Sequence, residues 1–389
     1  MTTDGVTNTA SDEVRHARAA LTRICEPASH GLAHWIARYG PVEALARLRR
    51  EDPPSDIARA VEARRGAYGG DRAGRDLDNI HALGGRLVCP EDHEWPVQVD
   101  ELAVVSDAKD PVMPPVALWV RGPRELAAVC ARSVSLVGSR AASPYGTHVA
   151  GELAYDLADR GWTVVSGGAY GIDGCGHRGA LAAEGPTVAV LASGVDRPYP
   201  LGHRALFERI AAGGLLISEW PPGSSPQRLR FLVRNRVIAA LSAGTVVVEA
   251  AARSGARMTA RRAAELCRPL MAVPGPVTSA MSVGAHQMIR TAGATLVTNA
   301  AEVIDLVGRM GADLAEPPRG PLTARDALPP DLAQVLEGMP AWQAAPPEEI
   351  AVRAGMRLAD VLRALPLLIR HGMVEEHGTG YRLSEAGRR

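Results

Sequence analysis

Lysine is almost missing from this 389-residue chain: Lys109 is the sole example, and every other basic side chain is an arginine. Codon bias in a GC-rich genome accounts for the replacement itself, but it leaves a planar, two-pronged cation wherever basic residues gather. Phenylalanine is scarce too, with only Phe207 and Phe231. Net charge is absent, since 43 basic and 43 acidic side chains cancel. That excludes a generally basic nucleic-acid coat protein while leaving local patches open. No hydrophobic run approaches the roughly 20 residues of a membrane span. The opening residues 1–13 have neither a basic start nor an apolar stretch, so they do not read as a signal peptide. No CxxC pair occurs; Cys25, Cys89, Cys130, Cys175 and Cys267 are scattered and odd in number, which suits a reducing compartment. A cytoplasmic location is expected. Histidine and cysteine spacings match no metal motif, so no metal and no cofactor is expected.

What is present is the balance of a folded protein, with 46% hydrophobic and 22% charged residues. The length allows two or three domains with a sizeable core. Residues 1–74 read as a small helical domain, with alanine, leucine and arginine at helical spacing and a break at Gly40-Pro41. Residues 75–310 differ. Short apolar β-branched runs at 134–137, 163–165, 187–191, 215–217, 245–248 and 270–273 alternate with amphipathic segments such as 145–160 and 256–267. This pattern predicts an α/β, Rossmann-like core whose parallel sheet is covered on both faces. Prolines at 317, 318 and 321 mark a linker over 311–328. Residues 329–389 predict helix, turn, helix and a glycine-containing hairpin, the pattern of a winged helix.

Three strand ends carry the candidate chemistry, because ligands in such sheets bind beyond the carboxyl ends of the strands. The first is Val137-Gly138-Ser139-Arg140, offering a backbone without a Cβ, a hydroxyl and a bidentate cation, all suited to phosphate. A helix predicted to start near Ser143-Pro144 would add its N-terminal amides to an anion site. The second is Ser166-Gly167-Gly168-Ala169-Tyr170-Gly171-Ile172-Asp173, a backbone cradle in which Asp173 is expected to cap the next helix. Its spacing is not GxGxxG, so a dinucleotide cofactor is not supported. The third is the segment 228–262, where eight arginines face a single acid, Glu249. A charge run is ordinarily a solvated face. Here Arg234-Asn235-Arg236 sits in an apolar helix and Ser254-Gly255-Ala256-Arg257 lies between a strand and a helix, which aims both sets at the strand-end crevice. Phe231 is either core or a stacking face for a base. Glu219 and Glu249 either line the pocket as paired carboxylates or hold a neighbouring arginine or amide. His177 reads as a helix-packing residue.

Taken in order, these motifs resemble the DNA-processing protein A family (DprA, also called Smf). The matching residues include Gly138-Ser139-Arg140, Ser166 to Asp173, His177-Arg178-Gly179, Tyr199-Pro200, Ile217-Ser218-Glu219, Arg234-Asn235-Arg236, Ser254 to Ala260 and Val273-Pro274-Gly275. The series covers residues 75–308. The sequence departs from the family pattern at Gly168, where leucine is usual, at His203, and at Arg257-Met258, where an aliphatic pair is usual. The resemblance implies a SAM-like helical start and a winged-helix end. It also implies a nonenzymatic mediator that binds single-stranded DNA, helps load the RecA recombinase during natural transformation, and dimerises near residues 288–307. The DNA pocket would use Gly138, Ser139, Arg140, Ser166, Gly167, Gly168, Arg234, Asn235, Arg236, Ser254, Gly255 and Arg257.

Two other readings compete. One is a phosphoribohydrolase-like enzyme that acts on a nucleotide in the same crevice through Glu249. The other is a platform for protein contacts alone, which leaves the arginine-rich segment without a purpose.

Overall fold

The computed structural model describes residues 9–50, 55–63, 71–105, 112–309, 313 and 324–388. Lys109 and most of the expected linker lie outside them. The described chain forms two compact units, Met1–Ala315 and Glu316–Arg389.

The first unit is an α/β structure built on a nine-stranded sheet. Its strands are β1 (Gly85–Val88), β2 (Leu118–Arg121), β3 (Ser133–Val137), β4 (Thr163–Ser166), β5 (Thr187–Leu191), β6 (Leu215–Ser218), β7 (Gly244–Val247), β8 (Leu270–Ala272) and β9 (Thr295–Leu296). They lie in the order β1-β2-β6-β5-β4-β3-β7-β8-β9. All six apolar runs anticipated from sequence are strands, and they pair in parallel. Every residue of β3, β4, β5 and β7 is buried, as a sheet covered on both faces requires. The sequence reading passed over β1, β2 and β9. β1 and β2 form an antiparallel extension beside β6, and each carries an arginine, so neither reads as a continuous apolar run.

The chain runs outward from β3 through β4, β5 and β6, then returns to the other side of β3 with β7 and continues to β8 and β9. Connections after β3 and β7 therefore leave in opposite directions, and a crevice opens between them.

The helical start is not set apart at residue 74. Its helices Asp12–Ile24 and Arg72–Ala82 bury Leu21, Ile24 and Ile80 in one apolar cluster with Leu87, Trp119, Phe207 and Leu216. Each such aliphatic side chain contributes about 1.5–3 kcal/mol when buried. Arg15–Asp92 (2.9 Å) and Arg18–Glu91 (2.7 Å) fasten the same helix to the segment after β1. The break foreseen at Gly40-Pro41 is a kink, with Gly40 at φ 75°.

The second unit has helices Pro330–Glu337, Pro347–Ala354 and Leu358–Arg370 followed by an antiparallel hairpin, Val374–His377 with Gly380–Leu383. Gly355, at φ 65°, ends the second helix where the turn was expected. Leu332, Leu336, Ile350, Leu365, Leu368 and Leu383 fill its core.

No helix among the described residues is long and apolar enough to cross a membrane.

Candidate nucleic-acid interface

The carboxyl ends of β5, β4, β3 and β7 lie side by side, and the loops leaving them form the candidate site. Its floor is braced from within by a buried arginine. Arg234, on the helix Arg228–Leu241, donates to Gly167 O (2.8 Å) and to Val190 O, tying the ends of β4 and β5 together. Burial lowers its guanidinium to about 10 while Asp173 opposes the shift, so it remains cationic at neutral pH. Asp173 does not cap the helix Ile172–Ala182, whose N-cap is Gly171. Its carboxylate instead accepts from Gly167 N (3.2 Å) and Ala169 N (3.3 Å) and faces Arg234, and burial raises its pKa.

Several residues expected to contact phosphate are consumed by this framework. Ser166 is fully buried and donates to Leu136 O (2.6 Å). A Cβ on Gly167 would run into the Arg234 guanidinium at 2.5 Å, so this glycine makes room for an arginine and not for a ligand. Gly168 turns at φ +70°, and the Phe207 ring stands 2.5 Å from where its Cβ would begin. Ser139 is mostly buried; its Oγ accepts from Ala141 N (3.2 Å) and lies 3.6 Å from the Met281 sulfur. Arg236 points elsewhere altogether. It forms a buried two-pronged pair with Glu219, both bonds at 2.6 Å, and donates to Met113 O (3.1 Å). A guanidinium in the interior needs a carboxylate, and Glu219 supplies it.

The helix Pro144–Asp159 starts at the N-cap Ser143, as the sequence predicts, but its anion position is taken. Buried Glu249 accepts from Ser143 N (2.9 Å) and Ser143 Oγ (2.6 Å). Both carboxylates thus hold a neighbour in place. His177 is buried, its ring Nδ1 lies 2.7 Å from Thr187 Oγ1, and burial pushes its pKa down to about 3, so it is neutral. No group of His, Cys, Asp or Glu suited to a metal occurs among the described residues.

What remains free faces solvent around Arg140. The crevice at the switch point is lined by Gly138, Arg140, Asp173, Arg234, Asn235 and Gly255, and holds about 50 Å³, too little for a nucleoside. Beside it a wider groove of about 550 Å³ is lined by Arg140, Tyr199, Gln227, Arg228, Phe231 and Leu232. The exposed Arg140 guanidinium lies 5.2 Å from the centre of the Phe231 ring, and Tyr199 meets that ring edge-on at 5.9 Å. Phe231 is therefore a groove wall and not core. Ser254 Oγ accepts from Ala256 N (3.3 Å). Gly255 is open to solvent, and Arg257 is exposed, donating to Ala252 O (2.5 Å) and Gln287 Oε1 (3.2 Å).

The structure thus brings together Gly138, Arg140, Asn235 and Gly255, and leaves Ser166 and Arg236 out. The sequence reading missed Tyr199 and Arg228 as groove residues. Arg228 did stand in the arginine-rich segment and Tyr199-Pro200 among the family motifs, but neither signal points to a groove.

Residues 86–308 match the family model for DNA recombination-mediator protein A. A Mycobacterium tuberculosis protein that carries the name DNA processing protein DprA is 46% identical over 380 residues, covering 97% of this chain and 96% of the relative. Protein Smf of Escherichia coli is 35% identical over 275 residues, covering 70% and 69%. Among solved structures, the X-ray structure of DNA processing protein A from Streptococcus pneumoniae superposes with a TM-score of 0.61 at 25% identity, covering 77% of this chain and all of that one. The chain belongs to the DNA recombination-mediator protein A family.

Proposed function

We propose that this protein binds single-stranded DNA without reading its sequence and acts as a nonenzymatic recombination mediator. The observation that carries this reading is the groove beside Arg140. One exposed arginine, a second at Arg228, and the rings of Phe231 and Tyr199 line a single open channel. Phosphates are held by cations, and bases stack on aromatic faces regardless of identity; a duplex hides those faces. Loading of RecA onto the covered strand, a role in natural transformation, self-association near residues 288–307 and a cytoplasmic location belong to the same reading. So does a winged-helix role for residues 329–389, where nine arginines against eleven acids over 311–389 favour a protein partner over duplex DNA.

The nucleotide-hydrolysing alternative loses support from two observations. Glu249 already serves a helix start, and it is buried and not part of the crevice lining.

Anisotropy titration of labelled oligo-dT tests the proposal. Arg140→Ala and Phe231→Ala should each weaken binding by about 5- to 100-fold, the range of one base stack. Wild-type affinity in both variants would end it. Release of free base from nucleoside monophosphates would restore the enzymatic reading.

A further inference from the structure

The eight arginines of 228–262 are not equivalent once their neighbours are known. Arg230 pairs with Glu26 (2.7 Å), Arg236 with Glu219, and both Arg261 and Arg262 with Glu265 (2.6 Å each). Arg234 is buried against backbone carbonyls. Three are left without a carboxylate. Arg228 and Arg253 are exposed and have no partner among the described residues; Arg257 is exposed and touches only neutral oxygens. With Arg140 they make four exposed arginines that have no ion pair among the described residues.

Their placement follows from the sheet. β3 carries Arg140 at its end, with β4 and β5 on one side and β7 on the other. Tyr199 follows β5, and the helix bearing Arg228 and Phe231 lines the groove on that side. Arg253 and Arg257 follow β7 and flank Gly255, which lines the crevice together with Arg140. A Cβ at Gly255 would meet nothing within 4 Å, so the loop leaves a clear surface between its two arginines. β7 pairs directly with β3, so the loop that follows it leaves the sheet beside the strand that leads to Arg140.

We propose that Arg253 and Arg257 form a second phosphate-binding lip. A single strand seated by Arg140 and Phe231 would continue across Gly255 and be held there through its phosphodiester backbone alone. No aromatic side chain lies in 250–257, so this lip grips phosphates and stacks no base. Gln287, from the helix Val283–Thr291, presets the Arg257 fork by accepting one of its N–H groups. This inference rests on the proposed single-strand binding.

Oligo-dT of increasing length, titrated against wild type and Arg253→Ala/Arg257→Ala, separates the two ideas. The double variant should match wild type on the shortest oligomer that binds. It should lose about 3- to 10-fold on longer ones, and its salt dependence should fall by about 0.7 for each phosphate that it no longer neutralises. Arg253→Lys/Arg257→Lys should recover most of the loss, and unchanged thermal melting of both variants confirms that the loop folds. Equal affinity at every length, or a loss of the same size at every length, overturns the second lip. Failure of wild type to bind any oligo-dT overturns the single-strand reading itself.

Discussion

At the scale of single residues, the environment of a charged group decides its job. Arg236 and Arg140 are both arginines near one helix, yet one is sealed against Glu219 and the other lies open over Phe231. Removing one partner of a buried pair strands the other charge without water, at a cost of about 3–5 kcal/mol. Glu219→Ala should therefore lower unfolding stability by that amount in urea titration. Arg140→Ala should leave stability within about 0.5 kcal/mol and act on DNA affinity alone. A variant pair with the opposite assignment would show that the two roles have been exchanged.

At the scale of elements, the site is a set of strand ends held in register by side chains from elsewhere. Ser143 is both N-cap of the helix Pro144–Asp159 and the hydroxyl that Glu249 accepts from, so Ser143→Ala removes a cap and leaves a buried carboxylate with one donor fewer. Loss of about 1–2 kcal/mol is expected by thermal or urea denaturation. Gly167→Ala would push the Arg234 guanidinium off Gly167 O and Val190 O, loosening β4 from β5. Overpacking of this kind costs about 1–3 kcal/mol, and the same variant should weaken oligo-dT binding, because Arg234 lies on the helix that carries Phe231. Gly167→Ala with wild-type stability would mean that Arg234 has room to spare.

At the scale of the whole molecule, pH and salt act differently. His177 is buried and neutral, with a pKa of about 3 in the folded state against 6.5 as the ordinary value. Its folded pKa lies below the unfolded one, so the unfolded chain takes up the proton as pH falls through 6.5. Stability contributed by the neutral ring is complete above pH 7 and declines towards pH 3. Between pH 7 and pH 5 the loss from this residue is about 2 kcal/mol. His177→Gln, which keeps a polar group beside Thr187, should flatten that slope in urea titrations at the two pH values; an unchanged slope would assign it to other groups. On the proposed single-strand binding, salt should act instead on DNA affinity, through Arg140, Arg228, Arg253 and Arg257.

The sequence by itself determined the parallel core. Six continuous apolar runs each became a buried strand, because burial on both faces demands that composition wherever the segment sits in the chain. It also determined which loops leave the strand ends, since glycine and small polar residues mark them. The antiparallel strands β1 and β2 stayed hidden, because strands of four residues carrying an arginine give no continuous apolar signal. The site was legible only in part. Gly138, Arg140, Asn235 and Gly255 stood out and line the crevice, but Ser139, Ser166, Gly167, Arg234 and Arg236 looked as available as Arg140 did. The fates of Ser166, Arg234 and Arg236 depended on Leu136, Val190 and Glu219, and that of Arg230 on Glu26, 204 positions away. The sequence set how many arginines there are. Tertiary structure alone decided which keep their charge for a ligand, because the free energy of a cation depends on what surrounds it in space and not on its neighbours along the chain.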